Sequence, residues 1–119
     1  MSATFTKESE SCFVASIKGI FAYKDLEGIQ VQARAAINHS QNVRLLVLME
    51  DFSGWGKEGD WGDLTFMYEY DASIAKIAIV ADLKWRDQVL MFLGAGRRQA
   101  SVKFFASSQE QTAREWLQS

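Results

Sequence analysis

Apolar and polar residues alternate along the chain in a pattern that predicts an α/β domain. Two short alternating stretches, Thr4 to Glu8 and Cys12 to Ile17, predict a hairpin of two strands at the start of the chain. Apolar residues then recur with helical spacing from Ala22 to Ile37, which predicts the first helix. Gly28 lies inside that helix, and we expect it to mark a close approach between the helix and the sheet.

Three further apolar stretches predict the remaining strands, and a helical pattern follows each of them. The strands are expected at Val43 to Met49, Lys76 to Val80 and Ser101 to Phe105. The helices are expected to begin at capping side chains, namely Asp60, Asp82, and Ser107 or Ser108. The order of elements is therefore ββαβαβαβα. Helices between successive strands favour parallel pairing, with an antiparallel edge from the hairpin.

A polar segment with several glycines follows the central strand, and we expect it to form a loop from Glu50 to Gly59. It lies at the carboxyl end of that strand, which is where open α/β sheets usually bind ligands. Trp55 stands between Gly54 and Gly56 in this segment. Its ring is therefore expected to be exposed or to form the wall of a pocket.

The helix predicted from Leu83 to Leu93 is more apolar than a sheet-covering helix needs to be. Its charged first half is followed by five consecutive apolar residues, Val89 to Leu93. Because one apolar stripe is enough to cover a sheet, some of these side chains are expected to point outward, close to Lys84 and Arg86. Two interpretations remain open. The helix is a contact surface for a membrane, a partner or an apolar ligand, or it is buried in a dimer or beneath a neighbouring helix.

Composition excludes several classes of function. The formal net charge of -2 argues against nucleic-acid binding, which depends on a dense basic surface. No stretch reaches the roughly 18 consecutive apolar residues that span a bilayer. The start of the chain has no basic region followed by an apolar run, so we expect a cytoplasmic protein.

Residue types that carry catalysis or bind metals are scarce. The chain has one histidine and one cysteine, too few for a zinc site. His39 is expected at the end of the first helix, where the helix dipole favours it, and Cys12 in a strand as a buried, inert thiol. The carboxylates of the predicted loop match no calcium-binding spacing: Glu50, Asp51, Glu58 and Asp60. We therefore expect no enzymatic activity, no cofactor and no metal.

Several segments spread over nearly the full chain form a recognisable set. They are Leu45 to Trp55, Trp61 to Leu64, Ile77 to Asp82 with Trp85, Val102 to Phe105 and Ala113 to Leu117. As a set they resemble the SpoIIAA-like family within the STAS fold (sulfate transporter and anti-sigma factor antagonist). The resemblance implies a mixed sheet of four to five strands with helices mainly on one face. It also implies a non-catalytic binding protein with an apolar cavity between helices and sheet, and association with membranes.

The anti-sigma factor antagonists that this chain resembles are phosphorylated by a partner kinase. The acceptor is a serine or threonine in an Asp-Ser-Ser-Gly-type turn. The comparable turn here is Asp51-Phe52-Ser53-Gly54, in which Phe52 stands at the acceptor position. Ser53 is then the candidate for phosphorylation.

Together these features predict a single bacterial domain, residues 1–119, that binds an apolar small molecule or a lipid. We expect it to form a homodimer and to associate peripherally with the inner face of the membrane through the Leu83–Leu93 helix. The residues expected to contact the ligand or the membrane are Trp55, Trp61, Met67, Trp85, Val89, Leu90, Met91, Phe92 and Leu93. The alternative is a dimeric protein-interaction or regulatory module of the anti-sigma factor antagonist type.

Overall fold

The computed structural model of the chain describes residues 3–9, 11–37, 42–57, 73–92 and 100–119. Five strands form one sheet in these ranges: β1 (Ala3–Lys7), β2 (Cys12–Phe21), β3 (Val43–Trp55), β4 (Ile74–Ala81) and β5 (Ser101–Ala106). The helices of the same ranges are α1 (Tyr23–Ile37), α2 (Arg86–Phe92) and α3 (Glu110–Gln118). Short 3₁₀ turns precede α2 (Leu83–Trp85) and α3 (Ser107–Gln109). The helix predicted to begin at Asp60 lies outside the described residues.

The strands lie side by side in the order in which they occur along the chain. β1 is antiparallel to β2, and the other neighbouring pairs are parallel. The predicted mixed sheet with an antiparallel edge is thus confirmed. Crossover connections between parallel strands are almost always right-handed, so crossovers that advance in one direction place their helices on one face. We call the face that carries α1 and α2 the first face of the sheet.

The first face holds the larger part of the hydrophobic core. Phe13, Val47, Ile77 and Ile79 are almost fully buried there. The apolar side of α1 covers one part of this face with Leu26, Ile29, Ala33 and Ala36, and α2 covers another part with Val89. Val89 is 0% exposed, so α2 is joined to the core at this point.

The second face of the sheet is covered by α3. This helix follows the last strand and is not a crossover, so right-handedness does not assign it to the first face. Ala113 and Leu117 are buried against Leu46 and Ala78. Trp116 is partly buried there and contacts the ring of Phe105, with 6.0 Å between the ring centroids.

Charged side chains hold α3 in place at its middle and at its C-terminal end. Arg114 Nη1 lies 2.7 Å from a carboxylate oxygen of Glu8, beyond the end of β1. Lys76 Nζ donates to the carbonyl oxygen of Trp116 at 3.0 Å and to that of Ser119 at 2.9 Å. A cation at this position satisfies carbonyl groups that the helix leaves without partners.

The N-terminal cap before α3 differs from the predicted one. The side-chain oxygen of Gln109 accepts a hydrogen bond from the N–H of Ala106 at 3.0 Å. Ala106 therefore holds the capping position, and no hydroxyl of Ser107 or Ser108 accepts a capping bond. The 3₁₀ turn moves the start of the α-helix beyond the serines.

β2 and β3 are longer than predicted, so the expectation of a loop beginning at Glu50 is wrong. Their parallel ladder continues to the pair Phe21 and Trp55. Asp51 and Ser53 have no partner in this ladder, because Lys18, Gly19 and Ile20 lie opposite residues 50, 52 and 54. Two bulges therefore follow each other in β3. A run of acidic residues and glycines is typical of a loop, but glycine inside a strand also marks a bulge.

The bulges depend on left-handed backbone conformations in both strands. Gly19 in β2 has a φ of 64°, and Gly54 in β3 has a φ of 116°. Asp51 also has a positive φ, of 50°, which aspartate tolerates better than most residues. These conformations let β3 gain two residues relative to β2 without losing the pairing.

Gly28 does not mark a close approach to the sheet, which corrects the expectation from the sequence. It is exposed, and a Cβ atom built at this position would meet nothing within 4 Å. Gly28 is thus a helical glycine without a packing role.

Replacing Gly28 by alanine is therefore expected to stabilise the protein. The gain is about 0.5–1 kcal/mol in the free energy of unfolding, because alanine loses less backbone entropy in a helix. The matched control is Gly19→Ala, which also meets no atom within 4 Å but must adopt a φ of 64°. It should lower the free energy of unfolding by about 1–2 kcal/mol. Urea denaturation of both variants measures the two effects, and destabilisation by Gly28→Ala would contradict this account of α1.

Candidate functional site

The extension of β2 and β3 forms the base of the candidate site. Leu48 lies opposite Val80 and β4 ends at Ala81, so the part of β3 after Met49 extends past β4. Without bulges, the residues continuing the first face after Met49 would be 51, 53 and 55. The bulges bring Phe52 to the first face in place of Asp51 and Ser53 and leave Trp55 on it, so both rings join the core of that face. Asp51 and Ser53 are exposed.

Trp85 reaches the same place from the other side, at the carboxyl end of β4. Asp82 follows that strand, and its side chain accepts a hydrogen bond from the N–H of Lys84 at 3.0 Å. The carbonyl oxygen of Asp82 accepts the N–H of Trp85, also at 3.0 Å. These two bonds hold the 3₁₀ turn and thereby fix Trp85 at the start of α2. The predicted capping role of Asp82 is confirmed.

Aromatic rings from β2, β3, the 3₁₀ turn and α2 contact one another at this end of the sheet. We call this set the aromatic cluster, and its members are Phe21, Phe52, Trp55, Trp85 and Phe92. Phe52 lies at its centre, with its ring centroid 4.9 Å from those of both Trp55 and Trp85. Their interplanar angles of 83° and 72° are edge-to-face arrangements, which aromatic quadrupoles favour.

The cluster joins α2 to the extended strands. Phe92 of α2 lies 5.5 Å from Trp55 and 6.3 Å from Phe21, measured between ring centroids. A Cβ atom at Gly54 would lie 3.5 Å from Cη2 of Trp85, so this ring packs directly on the backbone of β3. The cluster therefore fills the space between a short helix and the protruding pair of strands.

The two tryptophans of the cluster carry buried donors without acceptors. The Nε1 atoms of Trp55 and Trp85 are inaccessible to solvent, and neither has a hydrogen-bond partner among the described residues. Leaving such a donor unsatisfied costs about 1–3 kcal/mol, and most buried polar groups in proteins are paired with protein or water. The aromatic cluster thus combines an apolar surface with two available N–H groups.

The outer side of the same segment is apolar and charged. Leu83 is 64% exposed and Met91 is 71% exposed, although large apolar side chains are usually more buried. Lys84 and Arg86 are exposed beside them. Arg86 Nη1 lies 3.5 Å from a carboxylate oxygen of Asp87 in an exposed ion pair. The segment from Leu83 to Phe92 therefore presents aromatic rings inward and, outward, an apolar surface with Lys84 and this ion pair.

Groups suited to metal binding do not converge in the described part of the chain. Glu50 lies 3.7 Å from Nζ of Lys18 in an exposed ion pair, and Asp51 is exposed. Glu58 and Asp60, and also His39, lie outside the described residues. Within the described ranges, no three His, Cys, Asp or Glu side chains are placed to hold a metal ion together. No helix in those ranges is long and apolar enough to cross a bilayer.

The comparison with known protein families decides where the chain belongs. The family model described as SpoIIAA-like matches residues 12–118. The chain belongs to the SpoIIAA-like family. The family resemblance inferred from the sequence is confirmed.

A solved structure supports the same fold for this SpoIIAA-like chain. It is an uncharacterized protein with a SpoIIAA-like fold from Shewanella loihica PV-4, with a TM-score of 0.74 and 14% sequence identity. The match covers 97% of the present chain and 91% of the other. At this identity the likeness concerns the fold alone. No curated protein matches the sequence.

The structure of this SpoIIAA-like domain brings together some of the residues expected to bind a ligand or a membrane. Trp55, Trp85 and Phe92 meet in the aromatic cluster, and Leu90 packs partly buried against the core of the first face. Val89 is fully buried, whereas Met91 points outward. Trp61, Met67 and Leu93 lie outside the described residues.

Phe52 and Phe21 belong to the cluster but were not among the expected site residues. Phe21 lies beyond the predicted end of its strand, and the sequence predicts a loop around Phe52, next to a candidate phosphorylation site. The glycines at 19 and 54 were the signal of the bulges that turn Phe52 inward. That signal had to be combined with the pairing of two strands distant in sequence.

Ser53 occupies the second bulge of β3 and is exposed. Its hydroxyl lies 3.5 Å from the carbonyl oxygen of Asp51. Phe52, the residue compared above with the acceptor of the anti-sigma factor antagonists, is 6% exposed and lies within the aromatic cluster. Phosphorylation of Ser53 stays a prediction.

Cys12 is expected to be unreactive in the folded SpoIIAA-like domain. Burial raises the pKa of its thiol, and the neighbouring Glu8 carboxylate adds to the rise. The thiolate, which is the reactive form, therefore develops only above the ordinary cysteine pKa of about 8.5. Because the pKa is higher in the folded than in the unfolded protein, the thiol contributes fully to stability at pH values below the unfolded pKa. This contribution is lost as the pH rises through the folded pKa.

Iodoacetamide labelling followed by mass spectrometry checks this expectation. At pH 8 the native protein should react far more slowly than the same protein in urea. Glu8→Gln removes the carboxylate while leaving a side chain of similar size, and it should lower the pKa of the thiol and speed native labelling. Equal rates for folded and unfolded protein would contradict the burial of Cys12.

Proposed function

We propose that this SpoIIAA-like domain is a non-catalytic binding protein that takes an apolar small molecule or the acyl chain of a lipid. The binding site is the aromatic cluster, and the segment from Leu83 to Phe92 forms its cover. The observation that carries the proposal is the cluster itself, in which rings of the cover pack on rings of β2 and β3. Small-molecule sites are typically lined by aromatic side chains with a few well-placed polar groups.

The attachment of the cover to the sheet supports this role. α2 has seven residues, and Val89 is its buried one. Phe92 of α2 also points inward and contacts the aromatic cluster. Trp85, in the 3₁₀ turn before α2, contacts the cluster as well. A short helix held by Val89, the partly buried Leu90 and a few rings is a unit of low local stability. Its displacement would expose the aromatic cluster to a ligand without disturbing the strands.

The exposed side of the cover supports association with a membrane surface. In this proposal the protein takes up its ligand at that surface. Leu83 and Met91 are exposed beside Lys84 and Arg86. Apolar side chains with neighbouring positive charges favour the interface of an anionic bilayer. In this proposal the protein lies at the inner face of the membrane and is otherwise cytoplasmic.

The second candidate function is a dimeric regulatory module, and the same outer surface favours it. Leu83 and Met91 would then be covered by a second copy of the chain, and Ser53 would be accessible to a kinase. Under this alternative the aromatic cluster is a filled core without a ligand.

Native mass spectrometry of freshly purified protein distinguishes the two functions. The binding proposal predicts a co-purifying apolar mass that is released under mild denaturation. A dimer without any added mass would favour the regulatory module, with the Leu83–Phe92 segment as its interface. A clean monomer that also takes up no octanoate would overturn the binding proposal.

Charged substitutions on the cover test its contact with membranes. Leu83→Glu and Met91→Glu are each expected to weaken binding to vesicles of phosphatidylglycerol and phosphatidylethanolamine about tenfold, because each removes a side chain whose burial contributes about 1.5–3 kcal/mol. Cosedimentation measures the bound fraction. The matched control is Val31→Glu on α1, since Val31 is 64% exposed, the same as Leu83, and gains the same charge. Equal losses in all three variants would contradict a specific role for the cover.

A further inference from the structure

We propose that the indole N–H groups of Trp55 and Trp85 bind an acceptor oxygen in the head of the ligand. The ligand class is thereby narrowed to amphiphiles whose polar end is a carbonyl or carboxylate group. This inference rests on the proposed function, because it assumes that the aromatic cluster is the binding site. It adds the chemistry that orients the ligand.

The two indole donors lie in the interior of the protein. Both Nε1 atoms are buried, and neither finds an acceptor in the part of the chain that the structure describes. An indole N–H can only donate, so it is satisfied only by an acceptor atom that comes close to it. Tryptophan is usually placed where its N–H can reach such a partner.

Both donors belong to one site. The ring centroids of Trp55 and Trp85 are 6.0 Å apart, and both rings contact Phe52. One donor is supplied by β3 and the other by the turn before α2. An oxygen atom bound between them would connect the strands to the cover. Binding of the head group would then hold the cover closed.

The chemistry around the donors selects the head group of the ligand. The surroundings of the donors are aromatic, so a ligand that enters has an apolar body. A hydroxyl, ketone, ester or carboxylate oxygen accepts from N–H, but an ammonium head has no lone pair and leaves both donors unsatisfied. Carbonyl and carboxylate oxygens accept without adding a donor, whereas a hydroxyl brings an O–H that the aromatic surroundings leave unpaired. Nζ of Lys84 lies 5.9 Å from the ring centroid of Trp85, which is compatible with an anionic end.

A pair of isosteric probes tests the proposal on the whole chain. One probe is methyl hexyl ketone, and the other is the olefin in which a methylene group replaces the ketone oxygen. The ketone is expected to bind about tenfold more tightly, a difference of about 1.4 kcal/mol. Octanoate serves as the third probe and shows whether an anionic acceptor binds better than a neutral one.

Two measurements connect the preference for the ketone to the indole N–H groups of Trp55 and Trp85. In proton–nitrogen correlation spectra, the indole N–H resonances of Trp55 and Trp85 should move on addition of the ketone but not of the olefin. The resonance of Trp116, on the second face, is the internal reference. Trp55→Phe and Trp85→Phe keep an aromatic ring without the N–H and should each reduce the preference for the ketone, whereas Trp116→Phe should retain it.

The outcomes separate this inference from the proposed function. Equal affinity for ketone and olefin, with shifts in the cluster for both, would overturn the acceptor proposal and leave apolar binding in place. Binding of neither ketone, olefin nor octanoate would overturn both. A preference for the ketone that persists in both phenylalanine variants would place the acceptor contact elsewhere and overturn the assignment to these tryptophans. Because the spectra of the unmodified chain give the first result, the test does not depend on the folding of a variant.

Discussion

The hydrogen-bonded pairing of β2 with β3 continues past the end of β4, and everything at the candidate site depends on how this extension is built. Two bulges, with left-handed Gly19, Asp51 and Gly54, keep the ladder in register while β3 gains two residues. They turn Phe52 toward the first face, where its ring lies between two tryptophans. An unbulged strand would have directed Asp51 and Ser53 inward, and burying a carboxylate among aromatic rings is strongly unfavourable.

The two faces of the sheet perform different tasks. α3 is fixed on the second face by buried Ala113 and Leu117 and by hydrogen bonds from Lys76 and Arg114. On the first face, α1 packs with a regular apolar side, but α2 is short and depends on aromatic contacts. Stability is thus concentrated away from the end of the sheet where the strands protrude. Under the proposed function, the sheet would stay intact while the cover exchanges a ligand.

Membership in the SpoIIAA-like family establishes the fold. The function has to be argued from the individual residues of the site, because one fold can carry many functions. In the bulged part of β3, which the sequence compares with the acceptor turn of the anti-sigma factor antagonists, Phe52 is a central member of the aromatic cluster. A phenyl ring in this position supplies packing where a hydroxyl would supply a modification site. Phe52 therefore contributes packing at this position and has no hydroxyl that could be phosphorylated.

The periodicity of apolar residues was sufficient to predict the mixed sheet, the hairpin, α1 and the capping role of Asp82, because burial of one face imposes a local repeat. It also marked the Leu83–Leu93 segment as too apolar for a simple covering helix, and Met91 is indeed outward. The aromatic cluster was not predictable in this way. Whether Asp51-Phe52-Ser53-Gly54 forms a loop or a bulged strand depends on hydrogen bonds to Lys18, Gly19 and Ile20, more than thirty residues earlier in the chain. Similarly, the exposure of Gly28 could not be predicted from the pattern of α1. A helical pattern specifies which residues share a side of the helix but not how closely that side approaches the sheet. Within the described ranges, the sequence by itself determined the elements and their order. Only the tertiary structure decided which side chains meet, since long-range pairing sets the register on which their direction depends.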